Sequence, residues 1–219
     1  MPAEVPSPDG VPSQHDRAGT PLPLNDAITA DALDTIELMS RPPHARENVL
    51  DAFEAILIDE GERSATMDAT ARAAGVSKGG LLYHFGSKDA LETGVIERLD
   101  ALVTDDITAM AQAAEGPIAY FLRSSVMDND PLDRAILATA RLAQGGNASA
   151  GRALRDVRDR WGDALRPHTK DAASLDLVML VSDGLYFNNA LACGSIPGPV
   201  PRGADMDALI ALVLASAGR

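Results

Sequence analysis

Cysteine is nearly absent. Cys193 stands alone, which excludes an intramolecular disulfide and any multi-cysteine metal site within one chain, and a lone thiol of this kind is expected to be a small buried or half-buried side chain. Basic residues are few, 19 lysines and arginines against 32 aspartates and glutamates for a net charge of −13, and this argues against a protein that coats nucleic acid non-specifically. Long apolar runs are missing as well. The longest, Ala208 to Ala215 and Leu177 to Val181, fall far short of the roughly 20 residues that a spanning helix requires. The N-terminus has neither the basic start nor the apolar centre of a signal peptide, so a cytoplasmic location is expected. His15, His44, His84 and His168 are scattered, no histidine adjoins Cys193, and no Gly-rich phosphate loop follows a strand. An enzyme is therefore not expected, nor a cofactor or a metal site.

Apolar residues at 46% and charged residues at 23% allow a packed core, and 219 residues fit two modest helical domains. Residues 1 to 43 hold eight of the fourteen prolines without a sustained apolar period. Met1 to Pro23 reads as disordered, Asn25 to Met39 as a short helix, and Met39 as an alternative start of translation. From Ala45 the pattern turns helical. Val49, Ala52, Phe53, Ile56 and Leu57 recur at helical spacing up to Gly61, a C-terminal stop. Thr66 precedes a second helix, Met67 to Ala74; Ser77 caps a third, Lys78 to His84; Ser87 caps a fourth with the stripe Leu91, Val95, Ile96, Leu99, Leu102. That stripe fades after Val103, where Thr104, Asp105 and Asp106 mark the expected passage to a second domain. Further helices are expected over Pro117 to Met127, Pro131 to Ala143, Ser149 to Leu165, Ala172 to Leu191 and Ala204 to Ala217, broken at Gly145-Gly146, at Pro167 and across Gly194 to Gly203. No strand-like alternation interrupts them, so the fold class is all-α with about nine helices.

Ala71, Gly75, Val76 and Leu81 fit the joint of a helix-turn-helix. A small residue lets two helices cross closely, a glycine permits the positive φ of the turn, and two apolar side chains plug the corner. The charge agrees with this. Between Arg63 and Lys88 four cations, Arg63, Arg72, Lys78 and Lys88, face the single acid Asp68, a local balance of +3. Screening over about 8 Å lets such a patch face phosphates while the acidic remainder lies further away. Lys78 and Ser77 begin a stubby helix whose N-terminal residues would meet base edges in a major groove, Lys78 being the candidate for a guanine contact. Gly79 and Gly80 each weaken a helix by about 1 kcal/mol, and their pairing suggests close approach of backbone to DNA; an irregular helix is the other reading. Thr66 and Lys88, at helix starts, are candidates to receive phosphate alongside the local N–H groups, while capping and plain solvation are the alternatives. Phe85 is expected in the core.

The run Ala73-Ala74-Gly75-Val76-Ser77-Lys78-Gly79-Gly80-Leu81-Leu82-Tyr83-His84-Phe85-Gly86-Ser87-Lys88 closely resembles the N-terminal signature of the TetR/AcrR regulators, with a short recognition helix, an aromatic turn and Ser-Lys. The resemblance covers Arg46 to Leu102, and Thr70 departs from it where the family places a large aliphatic residue. It implies a DNA-binding helix-turn-helix domain over 44–90, with Tyr83 and His84 gripping phosphate, and a ligand-binding and dimerisation domain over 91–219. A homodimer through Ala172 to Leu191 and Ala204 to Ala217 would bind a palindromic operator, act most simply as a repressor, and be released by a small hydrophobic or cationic molecule. Candidate pocket residues are Phe121, Met127, Trp161, Met179, Tyr186 and Phe187, with Asp183, Asn188 and Asn189 as polar groups; ordinary core packing is the alternative for each. Trp161 and Asp183 together would suit a cation. The rival function is a helical protein-binding adaptor without DNA affinity, separable by whether operator DNA binds with a negative log-salt slope.

Overall fold

The computed structural model describes residues 45–191 and 200–218, with the side chains of 189–191 outside the description, all within the unit Pro42–Arg219. The expectations for residues 1–43, for Met39, for Cys193 and for the side chain of Asn189 lie outside the described residues. Nine α-helices and a short 3-10 turn make up the elements described, with no strand among them.

Helix α1 (Ala45–Asp59) buries Val49, Leu50, Phe53 and Leu57 completely and ends where Gly61 takes a φ of +84°, a conformation that costs glycine little. Thr66 caps α2 (Met67–Ala73), its hydroxyl oxygen accepting from the Ala69 N–H at 3.2 Å. The buried Thr70 donates its own hydroxyl back to the Thr66 carbonyl at 2.9 Å, so this polar side chain in the corner has a partner. Gly75 turns the chain at a φ of +67°. Ser77 caps α3 (Lys78–His84) by accepting from Gly80 N–H at 3.0 Å, and Ser87 does the same for α4 with Ala90 at 3.1 Å. Each cap satisfies one of the N–H groups that a helix start leaves unpaired.

Helix α4 (Lys88–Gln112) continues without a break through Thr104, Asp105 and Asp106, and at 1.5 Å per residue reaches about 37 Å. The expected passage between domains is therefore made inside one helix. Its buried side chains join three separate clusters: Leu91 and Val95 pack with Leu50, Phe53, Leu81 and Phe85, Leu99 and Val103 with Ala135 and Val157, and Met110 with Phe121, Leu122 and Val178. A rod held at three levels transmits displacement along its length, because packed interiors deform little.

Beyond it run α5 (Pro117–Ser124), α6 (Pro131–Gln144), α7 (Ala148–Leu165), the 3-10 turn Arg166–His168, α8 (Ala172–Leu191) and α9 (Ala204–Ala217). Helix α5 is shorter than its sequence pattern predicts, stopping before Met127. The Ser124 and Ser125 hydroxyls both donate to the Phe121 carbonyl, at 3.2 and 2.6 Å, and the Asp133 carboxylate collects the N–H groups of Asp128 and Asp130, so the chain is turned into the Asp130 capping box of α6 instead. Lys170 donates to the Ala215 and Ser216 carbonyls at the end of α9, 3.0 Å each, placing a cation where the helix dipole is negative.

Candidate functional site

Helix α3 buries one side chain fully, Leu81, and turns Lys78, Gly79, Leu82 and Tyr83 to solvent. Leu81 and Phe85 bracket the helix and hold it to α1 and α4. Phe85 is 3% exposed, and a Cβ on Gly94 would come within 2.9 Å of its ring and 3.0 Å of Leu50. Glycine at 94 thus lets α4 lie against the corner, a requirement with no local signal in the sequence. Ala71 is buried, and Val76 is half-buried against the same cluster. The result is a short helix projected on a rigid seat.

The polar groups expected to act together lie around this helix, with partners the sequence did not announce. Lys78 pairs with Asp68 at 2.9 Å, both side chains 64% exposed; a pair so open to solvent is worth at most about 1 kcal/mol and exchanges partners readily. Lys88 is more enclosed. It donates to the Glu62 carboxylate at 2.8 Å and to the Glu62 carbonyl at 3.2 Å, with Glu92 at 3.8 Å, and its hydrogen bond holds the Glu62 carboxyl below the usual range. Glu62 stands one residue before the basic window, so two of the four cations counted there face a carboxylate. Tyr83 is 66% exposed with its ring edge-on to His84 at 5.1 Å. Thr66, Ser77 and Ser87 use their oxygens as acceptors in the caps, which leaves each O–H able to donate outward. Around Gly79 a Cβ would meet nothing closer than 4.0 Å, so no packing within the chain accounts for the glycine. Leu82, 43% exposed on the same helix, is a further candidate for this surface that sequence reading passed over.

A second site lies between α4, α5, α6, α7 and α8: a cavity of about 720 Å³. Of the residues expected to line a pocket, Phe121, Trp161, Met179, Asp183, Tyr186 and Phe187 do so, while Met127 and Asn188 do not. Phe121 and Trp161 form one wall, their rings 5.7 Å apart. Asp183 is engaged by Arg158, also a lining residue, so the expected free carboxylate beside Trp161 is already neutralised. Asp106 takes that place. Its two oxygens accept from Tyr120 O–H at 3.1 Å and from Trp161 Nε1 at 2.9 Å. Burial raises the Asp106 carboxyl above the ordinary range, against the lowering by those two donors. Burial and the nearby Asp106 charge push the Tyr120 phenol up to about 12. Expected to mark the passage between domains, Asp106 stands instead in line with the buried Leu99, Val103 and Met110 of α4 at helical spacing, and an acid on that line is the signal that sequence reading passed over. The Tyr186 hydroxyl is buried at the cavity without a hydrogen-bond partner. No helix among the described residues is long and apolar enough to cross a membrane.

Residues 49–92 match the model of the tetR family of bacterial regulatory proteins, and residues 115–214 match the model of the tetracycline repressor-like C-terminal domain. The HTH-type transcriptional regulator BetI of Rhizobium meliloti (strain 1021) is 36% identical over 75 residues, 34% of this chain and 37% of that relative's length. The fold is shared with the SmeT–triclosan complex at a TM-score of 0.56 and 16% identity, covering 80% of this chain and 92% of the other. It is shared also with a Saccharomonospora viridis protein solved in complex with choline, at 0.55 and 16% identity, covering 81% and 100%. With its helix-turn-helix head and all-helical body, the chain belongs to the tetR family of transcriptional regulators.

Proposed function

We propose that this regulator is a ligand-responsive repressor that binds a palindromic operator as a homodimer, through α3 in the major groove, and leaves it when a small hydrophobic or cationic molecule enters the cavity. The observation that carries the reading is the seating of α3: one buried leucine, a capped N-terminus, and Lys78 and Tyr83 facing outward. Lys78 exchanges Asp68 for a guanine edge, a contact that geometry favours for a basic side chain at the start of a recognition helix. Gly79 and Gly80 let the backbone approach, and Leu82 offers an apolar surface to a thymine methyl group. Thr66, Ser77, Tyr83, His84 and Lys88 supply donors to the flanking phosphates.

The dimer forms through α8 and α9, whose exposed apolar residues include Leu180, Phe187 and Leu212. Two heads related by a two-fold axis read half-sites about 34–36 Å apart, one turn of duplex. The effector acts through α4, which lines the cavity with Asp106 and seats the head with Leu91 and Val95; a differential affinity of about 1–3 kcal/mol between two positions of that rod suffices for regulation. Relatives of this fold solved with triclosan and with choline support a pocket that admits small organic molecules.

The test is a gel shift on the DNA upstream of the protein's own coding region, with salt titration. Lys78→Ala is expected to cost about 1–3 kcal/mol of operator affinity, and Tyr83→Phe less, with circular dichroism unchanged. Normal affinity in both variants would remove the contact assignments, and absence of any salt-dependent binding would remove the DNA-binding role.

A further inference from the structure

We infer that the cavity takes an organic monocation whose charge is met by Asp106 rather than Asp183, which deepens and rests on the proposed effector pocket. Four aspartates line the cavity, Asp106, Asp130, Asp133 and Asp183, with Arg158 as the single cation beside them. Three of the four serve the fold through the backbone or an ion pair. Asp183 is paired with Arg158, Asp130 caps α6 by accepting from the Asp133 N–H, and Asp133 accepts from the Asp128 and Asp130 N–H groups. Asp106 is set apart by its surroundings: it accepts from two aromatic side chains of the cavity wall, the Tyr120 O–H and the Trp161 N–H, and no cation among the described residues stands within ion-pair distance of it.

A half-buried carboxylate with oriented neutral donors and no counter-ion is an incomplete pair, and desolvation makes its completion by a cation favourable. The wall beside it fits the same ligand. Trp161 presents its ring as well as its N–H, tilted against Phe121 at 5.7 Å, and aromatic faces attract ammonium groups. The Tyr186 hydroxyl, buried and unpartnered at the cavity, can accept from an ammonium N–H. With a volume of about 720 Å³, the cavity holds an ammonium with a substantial apolar tail, and a net charge of −13 favours the approach of cations over anions.

Trp161 is the one tryptophan in the sequence, so its emission reports the cavity directly. The full-length protein is titrated, by fluorescence and calorimetry, with three ligands of equal length and different charge: 4-phenylbutylammonium, 4-phenylbutanol and 4-phenylbutyrate. The cation is expected to bind at least tenfold more tightly than the alcohol and the carboxylate most weakly. Asp106→Asn should bring the cation-to-alcohol ratio near one, whereas Asp59→Asn, an exposed aspartate away from the cavity, should leave it unchanged. Equal or tighter binding of the alcohol, no binding of any of the three, or a ratio retained in Asp106→Asn overturns the assignment, and the wild-type series decides alone if that variant does not fold. A gel shift on the same samples separates the two readings. Cation preference without release of operator DNA keeps Asp106 and removes the effector role; release by the alcohol with no cation preference does the reverse.

Discussion

Asp106 occupies a place on α4 that helical periodicity reserves for an apolar side chain, three residues after Val103 and four before Met110, both buried. Burial raises its carboxyl above the ordinary range, and the energetic meaning follows from the direction. The folded protein is destabilised only where the group is ionised: the penalty is absent below the ordinary aspartate value and develops as pH rises through the higher, folded one. Asp106→Asn keeps an acceptor for Tyr120 or Trp161 and removes the charge. Its melting temperature in the absence of ligand is expected to exceed that of the wild type at pH 7 by about 2–4 °C, corresponding to about 1 kcal/mol in a chain of this size, with partial exposure limiting the gain. The difference should shrink as the buffer is taken toward pH 4. A variant less stable at pH 7, or a difference that widens in acid, would mean that the two hydrogen bonds outweigh the buried charge. A stabilising loss of a charged group is the usual signature of a side chain retained for function.

At the scale of elements, the start of α4 is tied to the loop before α2 and to the start of α7. Lys88 holds Glu62, Glu92 accepts from the Asn147 side-chain amide at 2.7 Å, and a Cβ at Gly145 would come within 2.6 Å of the Glu62 carboxylate, so the glycine that ends α6 makes room for that acid. On the proposed phosphate contact, Glu62 would compete with DNA for Lys88. Glu62→Gln retains the shape and releases the charge, and operator affinity is expected to rise two- to fivefold, the scale of a partly exposed ion pair, with the log-salt slope steeper by about 0.9, one additional phosphate. An unchanged slope would assign Lys88 to structure alone. The same network explains what sequence could convey. Helix starts were legible because their causes are local: Thr66, Ser77 and Ser87 each accept from an N–H three residues on. The Lys88–Glu62 pair spans 26 residues and Asp106–Trp161 spans 55, and no periodicity encodes such distances. Gly94 is of the same kind, since only the packed corner reveals that Phe85 and Leu50 leave no space for a side chain there.

In the molecule as a whole, the last two helices carry apolar side chains on both the buried and the exposed side. Helix α8 exposes Leu180 at 64% and Phe187 at 61%, and α9 exposes Leu212 at 65%, while Met206, Ile210 and Val213 on the other side of α9 are buried. Helices apolar on both sides need a second partner surface, and a two-fold axis supplies it with the same patch from an identical chain. Phe187 also lines the cavity, so the pocket and the proposed interface share a wall, and under the proposed function a ligand that shifts Phe187 would act on the spacing of the heads as well as on α4. Leu180→Asp combined with Leu212→Asp places like charges on each side of that axis and is expected to yield a folded monomer, with light scattering giving 22.9 kDa in place of twice that mass. Operator affinity should fall at least about 100-fold, because two linked half-sites gain about 10²–10⁴ over one, while the Trp161 fluorescence response to ligand is weakened rather than lost. A double variant that remains dimeric would move the interface off α8 and α9; a monomer that still binds the full operator with wild-type affinity would show that one head suffices, and the two-fold reading of the operator would fall with it.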